Sequence, residues 1–158
     1  MEQRLNPFKS SPQGYQAMSN LQQFVDSAGL ERPLLELVKM RASQINGRAY
    51  CLDMHSKDAR ALGETEQRLC LLNGWRESPQ YTERERAALE WTEAVTLVSE
   101  SHVEDDVFDR VKNHFTPEEL ANLTLAIVAI NGWNRLSIAF RLIPGSYKSP
   151  LEPRKACA

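Results

Sequence analysis

The stretch Glu36–His55 reads ELVKMRASQINGRAYCLDMH. Its first half continues a helical pattern: Pro33 suits a first turn, and Leu34, Leu37, Val38 and Met40 recur at helical spacing toward Ile45. Asn46-Gly47 breaks or bends that run, as an Asn-Gly pair marks a turn. A second helix then covers Ala49–Leu62 and ends at Gly63. If the two helices pack antiparallel across this turn, the carboxylate of Glu36 reaches Cys51 or His55.

Outward from this hairpin the punctuation stays helical. Ser11-Pro12 opens a helix with Tyr15, Met18, Leu21, Val25 and Ala28 on one face, and Gly29 closes it. A short helix runs from about Thr65 to Asn73. Thr82-x-x-Glu85 and Thr116-x-x-Glu119 both have capping-box spacing, in which each side chain satisfies the other residue's backbone N–H. The first starts a helix through about Val98, with Ala87, Ala88, Trp91 and Val95 inward. The second starts one that runs to about Leu142 and stops before Pro144. Between them, Val103–Phe115 is amphipathic, with Val107, Phe108 and Val111 inward. The one β-branched cluster, Ile127–Ile130, falls inside the final helix, so no strand is expected. Ile45-Asn46-Gly47 recurs as Ile130-Asn131-Gly132, which reads as a chance repeat. The expected fold is all-α, with six to seven helices and no sheet. One domain spans 1–145, and residues 146–158, rich in Pro, Lys and Arg, form a disordered tail.

Composition bounds the function. The chain has 158 residues, 42% hydrophobic and 25% charged, which suits one globular domain. Lys and Arg number 19 against 21 Asp and Glu, so neither nucleic acid nor an anionic membrane is expected as a partner. No uninterrupted apolar run approaches the ~18 residues of a membrane span. Met1–Asn6 is polar and followed by Pro7, unlike a signal peptide. Three cysteines, Cys51, Cys70 and Cys157, are too few and odd in number for a disulfide scaffold, and a reducing cytoplasm fits better. The final helix is apolar around much of its circumference, which places it centrally or at an interface and favours a homo-oligomer.

Cys51 and His55 are four apart and share a helix face. A thiol beside an imidazole is the minimal arrangement for an activated sulfur nucleophile. Three features are expected to lower the Cys51 pKa: its place in a first helical turn, His55, and the Arg48 charge. Glu36 is the candidate second member of a proton relay. The bland alternative is a buried, inert cysteine. Histidines and carboxylates do not cluster as a metal site requires, and there is no glycine-rich phosphate loop, so neither metal nor cofactor is expected. Cys70 reads as a small core residue, Cys157 as exposed, His102 and His114 as solvated, and Trp91 and Trp133 as core or interface anchors.

The segment resembles the AhpD-like alkylhydroperoxidase branch of the carboxymuconolactone decarboxylase family. That signature is a Glu, then Cys-x-x-Cys twelve positions on, then a His with three residues between it and the second Cys. Here Glu36, Cys51 and His55 hold their places, and position 48, the first Cys, is Arg48. Arg41–Gly47, Asp53-Met54-His55, Ala59, Gly63, the Trp75 region, the Thr82–Trp91 helix and Asn131–Asn134 also look like the family. The likeness runs from about Pro12 to Pro144. It implies thiol-dependent reduction of hydrogen peroxide or small organic hydroperoxides, with catalytic Cys51, His55 and Glu36. It implies a thiol or dithiol electron donor and a homotrimer or homohexamer. Without a cysteine at 48, resolution needs another thiol. Arg48 either depresses the Cys51 pKa or fills the pocket and pairs with Glu36. Two rival readings stand beside this one. The first is an acid–base enzyme of the decarboxylase kind, using Glu36, His55 and Arg48. The second is a non-catalytic oligomeric binding protein with a relict site.

Overall fold

The structure, a computed structural model, describes residues 2–151. Its α-helices are α1 (Pro7–Ser10), α2 (Pro12–Ser27), α3 (Arg32–Ile45), α4 (Ala49–Ala61), α5 (Glu66–Leu71), α6 (Glu83–Thr96), α7 (Val98–Ser101), α8 (Asp105–Val111) and α9 (Pro117–Phe140). A 3₁₀ turn, Leu72–Gly74, follows α5. Among the described residues there is no strand, so the all-α expectation holds. Seven of the nine α-helices among the described residues match the expected set, and α1 and α7 are added single turns of four residues.

The caps explain the boundaries. Both capping boxes form: Thr82 with Glu85, and Thr116 with Glu119. Gly47 adopts the left-handed backbone (φ 63°) that lets α3 turn into α4. The final helix stops two residues early, because Arg141 takes the same conformation (φ 55°). The amphipathic segment also shortens to α8, and Phe108, expected inward, is 44% exposed.

Helix α3 is the axis of the molecule, packing on α4, α6 and α9. One of its faces puts Leu34, Leu35 and Val38 into a core with Val25, Trp91, Val111, Leu123 and Ile127. Another puts Leu37 and Met40 against Ala59, Leu69, Leu72, Trp75 and Leu89. Helix α9 owes its apolar character to being packed on α2, α3 and α6, although its central stretch is long and apolar enough by composition to cross a membrane. The repeated tripeptides meet in space. Asn46 donates to Asn131 Oδ1 (2.9 Å) and Asn131 to Thr96 Oγ (3.0 Å), tying the α3–α4 turn to α9 and α6.

Candidate active site

The α3–α4 hairpin brings Glu36 and His55 together. His55 Nδ1 lies 2.8 Å from Glu36 Oε2, and both residues are buried. Lys39, one turn beyond Glu36, donates to Glu36 Oε1 (2.9 Å) and to Asp26 of α2 (3.0 Å). Burial would raise the Glu36 pKa, but the His55 hydrogen bond and the His55 and Lys39 charges outweigh it and hold the carboxyl below its usual range. For Lys39, burial works downward, and Glu36 and Asp26 overcome it to keep the ammonium charged.

These groups open on a cavity of about 380 Å³ between α2, α3, α4, α9 and the segment after α9. Cys51, Glu36, Lys39, His55 and Asp58 share its wall with the aromatic residues Phe8, Tyr15, Tyr50, Trp133 and Tyr147. Phe8, Tyr15 and Trp133 meet edge to face, at 4.7 and 5.6 Å between ring centroids. Trp133, expected as a core or interface anchor, packs against the Ala42–Cys51–Ile130 cluster and also forms cavity wall, held by its Nε1 bond to Gln22 (3.1 Å).

Cys51 sits in the first turn of α4, packed with Ala42 and Ile130, and is 1% exposed. Burial raises its pKa, and the Ser137 hydrogen bond and the Arg48 charge only partly offset this. The expected lowering is therefore corrected: desolvation is the larger effect, and the resting thiol is protonated. Arg48 does not pair with Glu36 and is not part of the cavity wall. It caps α4, donates to the Leu142 carbonyl and lies 5.7 Å from the Tyr50 ring centroid. Cys70 is exposed, because Leu69 and Leu72 take the inward positions of that stretch. Cys157 lies outside the described residues.

Lys39, Asp58, Ser137 and Tyr147 are site residues that sequence reasoning missed. Lys39 and Asp58 follow Glu36 and His55 by three, on the same helix faces, and that spacing was a usable signal. Tyr147 had none. The domain was expected to end at 145, yet Tyr147, Pro150 and Leu151 line the cavity, while 152–158 lie outside the described residues. Against the expectation that histidines and carboxylates do not cluster, ligand atoms of Glu36, His55 and Asp58 come within 4.8 Å of one another, with the Lys39 ammonium on Glu36. The cavity wall thus carries a buried carboxylate–imidazole pair and, bonded to Ser137 rather than to His55, a buried thiol.

Known proteins resemble this chain in sequence and fold. Over 139 residues the chain is 42% identical to the uncharacterized protein YdfG of Bacillus subtilis, covering 88% of this chain and 95% of YdfG. A crystal structure from Agrobacterium tumefaciens, of a protein of unknown function suggested to be the antioxidant defence protein AhpD, superposes with a TM-score of 0.89 at 45% identity. The match covers 92% of this chain and all of that one. A peroxidase-related protein with an alkylhydroperoxidase AhpD core, from Ralstonia eutropha, shares the fold at a TM-score of 0.76 and 18% identity, over 88% of this chain and 74% of that one. The family profile described as carboxymuconolactone decarboxylase matches residues 12–94, which hold Glu36, Cys51, His55 and Asp58. The chain belongs to the carboxymuconolactone decarboxylase family and has its AhpD-like all-helical fold.

Proposed function

We propose that this protein reduces organic hydroperoxides through Cys51, with His55 and Glu36 as its proton relay. The observation that carries the reading is that the Cys51 thiol and the Glu36–His55 pair share the wall of one cavity. A protonated, buried thiol needs a base at the moment of attack, and an imidazole backed by a carboxylate is one. His55 takes the Cys51 proton. The sulfur attacks the terminal peroxide oxygen, the O–O bond breaks, and the departing alkoxide takes the proton back. Cys51 becomes a sulfenic acid and the hydroperoxide becomes an alcohol. Two equivalents of a thiol, or one dithiol, then restore Cys51 and release water and a disulfide. Among the described residues no second thiol lines the cavity, since Arg48 stands where a local partner cysteine would be and Cys70 is not part of its wall, which favours an external thiol as the reductant. The cavity is far larger than hydrogen peroxide and mostly apolar, which favours an organic hydroperoxide.

Consumption of cumene hydroperoxide with dithiothreitol as reductant tests this. Turnover is expected from the wild type and none from Cys51→Ser. A second reading, acid–base chemistry on a small acidic substrate, is favoured by the Glu36–His55–Lys39 group beside a neutral thiol. Absence of peroxide turnover, with Cys51→Ser still active on such a substrate, would replace the first reading with this one. We place the protein in a reducing cytoplasm, and infer a homo-oligomer, trimer or hexamer, for which Val128 and Ile138, exposed on α9, are the candidate contact residues.

A further inference from the structure

The segment after α9 is fastened along α4 by three bonds. The Gly145 N–H donates to Asp53 (3.1 Å), Lys57 Nζ to the Tyr147 carbonyl (3.0 Å), and the Tyr147 hydroxyl to Asp58, 2.9 Å from each carboxylate oxygen. Lys57 is itself held by Asp53 (2.9 Å). Tyr147 is thereby set into the cavity wall beside His55.

Among the described residues, the ionisable groups that share the cavity wall with His55 come from four parts of the chain. Helix α3 supplies Glu36 and Lys39, with Arg32 further along the wall, and α2 supplies Asp26 and Tyr15. Its own helix supplies Tyr50, Cys51 and Asp58, and the segment after α9 supplies Tyr147. Helix α9 contributes Trp133 and Ser137, neither of which titrates in the accessible range. Glu36 is committed to His55 and Lys39. Asp58 has an oxygen within 4.8 Å of the ligand atoms of both Glu36 and His55, and its hydrogen-bond partner is Tyr147. A carboxylate at that range, if released, would turn to the imidazole and favour its charged form.

We propose that Tyr147 is a positioning residue: its hydroxyl holds the Asp58 carboxylate off His55, leaving the imidazole with Glu36 as its single carboxylate partner and able to take the Cys51 proton. Burial and the Asp58 bond both raise the Tyr147 pKa, so the phenol keeps the proton that it donates to Asp58. The catalytic meaning of this role rests on the hydroperoxide reading, but its effect on His55 does not.

The test is an NMR titration of the imidazole signals in the wild type, Tyr147→Phe, and Tyr147→Phe with Asp58→Asn. The chain has three histidines, and His55→Gln assigns the signal. Tyr147→Phe is expected to raise the His55 midpoint by about one pH unit, and Asp58→Asn in that background to bring it back. An unmoved midpoint, or a rise that survives Asp58→Asn, overturns the proposal. Lys57→Met frees the Tyr147 carbonyl without touching the phenol. It is expected to give a smaller rise in the same direction, and it carries the test should Tyr147→Phe not fold; no rise there also overturns the proposal. Peroxide assays on the same samples separate the two claims. A shifted midpoint in protein that reduces no hydroperoxide supports the positioning role and removes the hydroperoxide reading. Turnover with an unmoved midpoint does the reverse. In active protein, the acid limb of kcat/KM should move up with Tyr147→Phe and return with Asp58→Asn.

Discussion

Glu36 of the central helix α3 and Glu93 of α6, which packs on it, are two carboxylates with different surroundings. Glu93, on α6, accepts from Arg41 of α3 (2.8 Å), from Trp75 Nε1 (2.8 Å) and from Arg76. Burial pulls its pKa up, and these donors bring it below the usual value. Glu36 is buried more deeply and is also held low, by His55 and Lys39. By the direction of their titration, though not by depth of burial, the two look alike. The differences are a titratable partner and empty space. Glu93 is clamped by permanently charged or neutral donors and is not part of the cavity wall, whereas Glu36 holds an imidazole that borders about 380 Å³ of cavity. A shifted carboxylate alone marks a structural clamp as readily as a site. The imidazole and the room beside it make the distinction.

Substitutions at each centre sharpen the contrast. Cys51→Ser should abolish hydroperoxide turnover while thermal unfolding changes little, since Ser is nearly the same size. His55→Gln should slow the oxidation of Cys51 by about 10²–10⁴-fold, the usual span for losing a positioned base, measured by stopped-flow peroxide consumption. Glu93→Ala should leave that rate within a few-fold and instead cost about 2 kcal/mol of stability, from stranding Arg41 and Trp75 without their acceptor, seen in urea unfolding. A rate loss at Glu93 as large as that at His55 would break the distinction.

The smallest effect concerns pH. A carboxyl held low when folded adds stability above its unfolded pKa, near 4.5 for Glu36, and loses it as pH falls through the lower folded value. Lys39, held high, adds stability below its unfolded pKa, near 10.5, and loses it as pH rises through its folded value. Melting temperatures of wild type and Glu36→Gln should therefore converge as pH falls below about 4.5. Parallel curves would mean that Glu36 is not held low.

The helical hairpin was legible because its signals are local. Pro33, Asn46-Gly47 and Gly63 fix where α3 and α4 begin and end, and helical spacing aligns Cys51 with His55. The meeting of Glu36 with His55 followed from an antiparallel hairpin. The Cys51 pKa went the other way because burial against Ala42 and Ile130, set by packing of α9, outweighs the nearby charge. Arg48 was ambiguous in sequence because its partner, the Leu142 carbonyl, lies far along the chain. Tyr147 was read as tail because composition alone does not show a hydroxyl reaching Asp58. Cys70 was misread as core because its apolar neighbours, not its own position, face inward.

The central claim is that burial and a raised resting pKa do not silence Cys51, because His55 and Glu36 deprotonate it at the cavity. Brief exposure to sub-stoichiometric cumene hydroperoxide with dimedone, followed by peptide mass spectrometry, tests this most directly. The account predicts the sulfenic-acid adduct on buried Cys51, ahead of exposed Cys70, and its loss in His55→Gln. Labelling of Cys70 with Cys51 left reduced would contradict it.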